Sequence, residues 1–241
     1  MTMSPGISII GQHRIKDHVL FDADFHIPGG QWTCLLGRSG VGKSTILRLI
    51  LGLQTGGDFK GTFKASDGAP LAGRISYMAQ SDLLLPWLSV LDNICIGARL
   101  RGDVPNVALA RDLIHNVGLV DYQDQKPATL SGGMRQRAAL ARTLFEARPI
   151  VFLDEPFSAL DAGTRADMQE LAAEVLQGCT VLLVTHDPAE AARLADQITV
   201  MSAQQTQNWP VPQTRALRDI NAPETLACQV KLLDYLRGRV T

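Results

Sequence analysis

Gly37-Arg38-Ser39-Gly40-Val41-Gly42-Lys43-Ser44 has the form GxxxxGK[ST], a spacing suited to phosphate. Glycines leave successive backbone N–H groups free to wrap an anion. Lys43 would reach the β- and γ-phosphates of a nucleotide, and the Ser44 hydroxyl would ligate Mg²⁺. With Thr45 behind it, this stretch is the candidate nucleotide site. A second element, Ile150-Val151-Phe152-Leu153-Asp154-Glu155, is an apolar run ending in two carboxylates. Asp154 is placed to hold Mg²⁺ through water, and Glu155 to aim at an attacking water. The competing reading of the acidic pair is a helix N-cap. Pro156 weakens it, because the helical pattern resumes only after Asp161. A third element is Val184-Thr185-His186-Asp187, where His186 ends an apolar run at the sheet edge where phosphates bind in such folds. Alone it reads as structural; after a phosphate loop and a carboxylate pair it becomes a γ-phosphate contact. The fourth is Gln80, whose amide could bridge Mg²⁺ or the water, and which taken alone is a surface glutamine.

LSGGMRQR, at 130–137, poses a different question. It opens a run with helical spacing, yet puts Gly132 and Gly133 in the first turn, each costing roughly 0.5–1 kcal/mol relative to alanine. Ser131 can act as N-cap, but Met134 stands where a capping box has Glu or Gln. Bare N–H groups at a helix start bind anions, although the chain already has a phosphate loop.

The elements that must position these residues alternate between apolar runs and helical patterns, the mark of an α/β fold with a mainly parallel sheet. WTCLL (32–36) is a predicted strand, followed by the Gly-rich turn and a helix over Ser44–Leu53. Phe59–Phe63 and Arg74–Met78, around the turn-rich ASDGAPLAG, predict a small antiparallel subdomain. A helical insertion is expected over about 84–145, with one helix at Ser89–Arg99 and another started by Pro105 and ended by Gly118. The core resumes with IVFL (150–153), a helix over Thr164–Gln177, TVLLV (180–184), a helix over Pro188–Ala195 and QITVM (197–201). A last helix is expected over about 221–238, and the whole of 1–241 reads as one domain.

Bulk properties limit the partners. The 241 residues are 46% hydrophobic and 20% charged, with net charge −1, and the sequence pI is about 6.5. That balance gives no nucleic-acid footprint. No apolar run approaches the ~18 residues of a membrane span, and MTMSPGISII lacks the layout of a signal peptide. Any work at a membrane is expected to go through a partner. Cys34, Cys95, Cys179 and Cys228 form no CxxC pair. Cys34 and Cys179, in apolar runs, read as buried free thiols of a reducing compartment.

GRSGVGKST, Gln80, LSGGMRQR, IVFLDEP, SALD (158–161) and His186 occur in that order. Together they resemble the nucleotide-binding subunit of ATP-binding-cassette (ABC) transporters over nearly the whole chain. The resemblance implies a P-loop NTPase core, ATP and Mg²⁺ as ligands, and a head-to-tail homodimer formed on ATP binding. Ser131, Gly132 and Gly133 would then contact the γ-phosphate held by the other subunit's Lys43. Asp161 would line the dimer interface, Glu155 would be the catalytic base and His186 the switch histidine. Implied partners are an integral-membrane permease and, indirectly, an extracytoplasmic solute-binding protein. The implied location is the cytoplasmic face of the inner membrane.

PATLSGG (127–133) looks importer-like, and QSDLLLPWLSVLDNI (80–94) resembles the importers of nitrate, taurine, alkanesulfonates and thiamine precursors. No C-terminal regulatory domain of the kind found in sugar-importer ATPases is expected after the last helix. Pro86-Trp87 is either a docking patch for the permease or part of the helical core. One departure concerns the aromatic that stacks on adenine in this family. The matching stretch Gln12-His13-Arg14-Ile15-Lys16 has none, leaving His13, the Arg14 guanidinium or nothing in that role. The rivals are an exporter ATPase, a soluble ABC-type switch acting on ribosomes or nucleic acid, and a plain P-loop kinase. The last leaves LSGGMRQR and His186 without a task.

Overall fold

A computed structural model of the chain describes residues 4–202 and 205–238. In chain order its elements are β1 (Ile7–Ile15), β2 (His18–Ile27), β3 (Trp32–Leu36), α1 (Lys43–Ile50), β4 (Asp58–Ala65), β5 (Ile75–Met78), α2 (Val90–Leu100), α3 (Val107–Asn116), α4 (Gly132–Phe145), β6 (Ile150–Asp154), α5 (Ala162–Val175), β7 (Thr180–Thr185), α6 (Pro188–Leu194), β8 (Gln197–Met201), β9 (Thr206–Trp209) and α7 (Pro223–Leu236). By contacts the chain divides into two compact units. One comprises the chain up to Ile75, Pro149–Phe152 and everything from Gly178; the other comprises Ser76–Arg148 and Leu153–Gln177.

Among the described residues there are two sheets: a three-stranded one in the order β2-β1-β4 and a six-stranded one in the order β5-β6-β7-β3-β8-β9. In the larger sheet β3 pairs in parallel with β7 and β8, while β9 closes the edge antiparallel to β8. WTCLL and TVLLVT are buried at every position. Strands covered on both faces read as unbroken apolar runs in this way, which is why they are visible in the sequence. Behind them Ala191, Ala192, Cys228 and Leu232 pack on Cys34, Leu36, Ile198 and Val200.

The small antiparallel sheet differs from expectation. β4 joins it, but β5 does not: it lies in the six-stranded sheet. A four-residue strand carries too little pattern to name its neighbours, and pairing is a long-range choice. The other two members, β1 and β2, were not predicted. β2 nevertheless alternates cleanly, with Phe21, Ala23, Phe25 and Ile27 buried and Asp22, Asp24 and His26 exposed, the period-two signal of a half-buried strand. β9 was also unpredicted.

The helices follow their caps. Ser89 caps α2 by accepting from Asp92 N, and Asp161 caps α5 by accepting from Thr164 N. Pro105 does not open α3. Asn106 is its N-cap, accepting from Leu109 N, because a side-chain acceptor satisfies an orphan donor and a proline cannot. The last helix is shorter than expected, and α1 stops at Ile50, with Gly52 in the left-handed region (φ +69°). In the second unit α2, α3 and α4 pack together around Ile94, Ala98, Leu113, Ile114, Leu140 and Leu144, all buried.

In the small sheet Gly11 faces Gly61 across the β1–β4 pair. A Cβ at Gly61 would lie 2.3 Å from the Ile10 carbonyl oxygen and 2.6 Å from the Phe59 ring. Gly61→Ala is therefore expected to lower unfolding stability by about 1–3 kcal/mol, as overpacking does. The midpoint and slope of urea unfolding check this, and an unchanged midpoint would mean the strands part without strain.

Candidate active site

In the first unit the phosphate loop leaves the end of β3, and its geometry leaves little choice of residue. Gly37 lies so close to β8 that a Cβ would meet the Met201 carbonyl oxygen at 2.6 Å. Gly40 and Gly42 have φ of +81° and +105°, left-handed backbone that favours glycine. The Gly42 carbonyl accepts from Ile46 N at 3.0 Å, which starts α1. Lys43 is buried, and its ammonium donates to the carbonyls of Gly37 at 2.8 Å and Arg38 at 3.0 Å. The charge is thus held inside the loop's curve. Ser44 and Thr45 are half-buried in the first turn of α1, while Arg38, Ser39 and Gly40 are exposed. A phosphate fits this donor set, with the N-terminus of a helix and a buried lysine together.

Beneath the loop Cys34 is fully buried, and burial pushes its thiol well above the ordinary value; Glu190 adds to this and Lys43 opposes it. A thiol so held stays protonated and inert. Cys179 is only half-buried and precedes β7 rather than lying in it. His186 is exposed just past the end of β7. Hydrogen bonds fix the chain on both sides of it. Thr185 Oγ1 donates to the buried Glu190 at 2.7 Å and accepts from Asp187 N at 3.0 Å, and Asp187 accepts from Ala189 N at 2.8 Å.

In the second unit Asp154 closes β6 and is 2% exposed. Glu155 follows with φ +50°, left-handed backbone that costs a side-chain-bearing residue roughly 1–2 kcal/mol. Strain of this sort collects at functional positions. Its carboxylate accepts from Gln80 Nε2 at 3.2 Å, so two of the expected site residues meet directly. Ser131 caps α4 by accepting from Met134 N at 3.2 Å. Gly132 and Gly133 occupy the first turn, and nothing in the chain demands glycine there. A Cβ at Gly132 would approach nothing nearer than the Arg135 guanidinium at 4.0 Å, and one at Gly133 would make an ordinary 3.4 Å contact with the Ala159 carbonyl oxygen. Asp161 is exposed at its cap; the Thr164 N–H and hydroxyl hold its carboxyl below the usual range.

The loop after Gln80 is built to present Trp87. Arg142 donates to the carbonyls of Asp82 at 2.6 Å and Leu83 at 2.8 Å. Arg135 bridges the Asp82 carboxylate at 3.1 Å and the Leu130 carbonyl at 2.8 Å. Asn93, fully buried, accepts from Leu85 N at 2.7 Å and donates to the carbonyls of Leu85, Leu88 and Ser89. Trp87 is 66% exposed, so packing inside the helical core is not its role. None of these three was assigned an anchoring role from the sequence, since an arginine or asparagine on a helix reads as solvated surface.

His13 does not serve as a base-stacking ring. It is fully buried, lies 5.5 Å from Phe21 in a stacked arrangement and bonds through Nε2 to the Gly56 carbonyl at 2.8 Å. The alternating strand places it on the inner face, while Arg14, beyond a register shift, is exposed. His13→Ala is expected to cost about 2–4 kcal/mol of stability, in the range of large-to-small core changes. It should leave the folded protein's ATP affinity and its choice between ATP and GTP unchanged. Urea unfolding and nucleotide titration measure the two sides.

The family model described as "ABC transporter" matches residues 20–158. The chain is 41% identical over 236 residues to the aliphatic sulfonates import ATP-binding protein SsuB 1 of Rhodococcus jostii, covering 96% of this chain and 93% of that one. It is 44% identical over 214 residues to the SsuB protein of Rhodopseudomonas palustris, covering 86% and 75% of the two chains. A bacterial Atm1-family ABC exporter with ATP bound shares the fold at a TM-score of 0.74 and 24% identity, over 84% of this chain and 38% of the exporter's. With its phosphate loop, its acidic strand end and its LSGG helix in place, the chain belongs to the ABC transporter family of ATP-binding proteins and is an ATPase.

Proposed function

We propose that this ATPase works as one domain and energises uptake of a small solute, of the aliphatic sulfonate class, through a separate permease. The acid end of β6 carries the reading. Glu155 is held in a strained backbone with its carboxylate on the Gln80 amide, as a base that must aim at one water requires. The sulfonate import proteins among its relatives support the direction and the solute class. Among the described residues no helix is long and apolar enough to cross a membrane, and in this reading passage of the solute falls to the permease. Exposed Trp87, on a loop pinned by Arg142 and Asn93, is the proposed docking point at the membrane's inner face. A solute-binding protein outside would deliver the cargo.

In this scheme the loop N–H groups, Lys43 and the N-terminus of α1 bind the triphosphate. Magnesium would be held by the Ser44 hydroxyl and by Asp154 through water, and would supply charge neutralisation on the phosphates. Among the described residues there is no cluster of three or more His, Cys, Asp or Glu side chains fit for a metal. Magnesium needs none where hydroxyl, water and phosphate complete its shell. Glu155 takes the proton of the attacking water, Gln80 orients that carboxylate and His186 contacts the γ-phosphate. That neither Gly132 nor Gly133 is crowded by its own chain supports a role outside their own subunit. Ser131 and these glycines offer backbone donors to the γ-phosphate bound by a second copy, with Asp161 beside them at the interface. Arg14 is the flat cation left to lie on the base.

Glu155→Gln should bind ATP normally, hydrolyse it roughly 10²–10⁴-fold more slowly, as loss of a general base implies, and accumulate as an ATP-dependent dimer. Single-turnover hydrolysis and size-exclusion at saturating ATP and Mg²⁺ test this, and a monomer there would sink the two-subunit scheme. Arg14→Ala should weaken ATP binding about 2- to 5-fold, the loss of roughly 0.5–1 kcal/mol of cation–π contact, and leave the rate at saturation unchanged. Nucleotide titration beside steady-state kinetics reads both.

A further inference from the structure

Gln136 lies one turn into α4, among residues that are otherwise apolar or small where the helix is buried, and is itself 6% exposed. A buried amide in such a place is costly unless satisfied. It is satisfied by one short segment. Its Nε2 donates to the Glu155 carbonyl at 2.9 Å and reaches Ser158 Oγ at 3.4 Å, and its Oε1 accepts from Ala159 N at 2.8 Å. The amide's orientation is not interchangeable: turned over, it would set oxygen against the Glu155 carbonyl and an N–H against the Ala159 N–H. Ser158 Oγ also donates to the Glu155 carbonyl, at 3.1 Å, and Ser158 N closes the turn onto it at 3.4 Å.

Glu155 has φ +50° and is followed by Pro156. Its conformation is one an ordinary residue avoids. It persists only where the surroundings over-determine it. The hydrogen bonds gathered on its carbonyl are that restraint, and Gln136 makes the shortest of them. The same peptide geometry sets where the Glu155 side chain leaves the backbone, and so where its carboxylate meets Gln80 at 3.2 Å.

We infer that Gln136 is a positioning residue for hydrolysis: it clamps the Glu155–Ala159 turn to the helix that begins at Gly132, and so aims the Glu155 carboxylate. The inference rests on the reading of Glu155 as general base. It adds a direct mechanical link, within one subunit, between the LSGG helix and that base. A shift of α4 by one subunit's partner would be felt at the Glu155 backbone through a single amide. Gln136 contacts neither nucleotide nor water; it acts through Glu155.

The test is steady-state ATP hydrolysis by the full chain, with nucleotide affinity measured separately. Gln136→Leu keeps bulk and burial but loses every bond. It should lower kcat roughly 10- to 100-fold, the scale of about 1 Å of misplacement, with KM and ATP affinity within about twofold of the parent. Gln136→Glu keeps an acceptor for Ala159 N but sets an oxygen against the Glu155 carbonyl. It should lose kcat at least as far, and it decides the matter if the leucine variant does not fold. In the Glu155→Gln background Gln136→Leu should cost nothing further, because the group it aims is already inert. Parental kcat in either single variant, a loss confined to KM, or an additional loss in the double variant would overturn the inference. Parental hydrolysis by Glu155→Gln alone would instead overturn the reading beneath it.

Discussion

A phosphate held by main-chain N–H groups requires backbone that is left open to it without being left disordered. That constraint shapes most of this protein. In the phosphate loop it is met by glycine on a loop anchored at both ends, between a strand buried at every position and a helix whose first turn is fixed by Gly42. Left-handed φ at Gly40 and Gly42 and close approach at Gly37 exclude other residues. The entropy of three glycines is offset by the burial of β3, Ile46 and Leu47 around them. Lys43 then places its charge by bonding to the loop's own carbonyls.

In the proposed two-subunit scheme the LSGG helix would meet the same constraint differently. Its two glycines are helical, and neither is crowded by its own chain. Their destabilising effect is offset elsewhere in α4, by the Ser131 cap and by a row of buried alanines and leucines. A feature that weakens a helix and serves nothing within its own subunit points outward. That is the ground on which the shared phosphate of an ATP-bound pair is proposed.

Around Glu155 the logic runs through restraint instead of openness. A carboxylate followed by proline in a left-handed conformation stores strain. The surrounding side chains, Gln80 on its tip and Gln136 and Ser158 on its carbonyl, hold it there. The loop leading from Gln80 to Trp87 is held by arginines from that same helix α4. One helix therefore carries the LSGG start, restrains the acidic turn and anchors the exposed tryptophan loop.

Composition and local pattern by themselves determined the parts whose chemistry is written in consecutive residues. The phosphate loop, the Asp154–Glu155 strand end, the LSGG helix start with its Ser131 cap and the buried parallel strands belong to this group. Each depends on a side chain or a bare backbone within a few positions of its partner, so spacing alone specifies it. Tertiary structure decided the rest. It placed β5 in the large sheet, paired β1 with β4, turned His13 inward onto Phe21 and left Trp87 outside. It also gave Gln136, Arg135 and Arg142 their partners, at sequence separations that no local period can encode. A glutamine or arginine on a helix looks the same in sequence whether water or a distant carbonyl satisfies it; only the folded chain brings the carbonyl within reach.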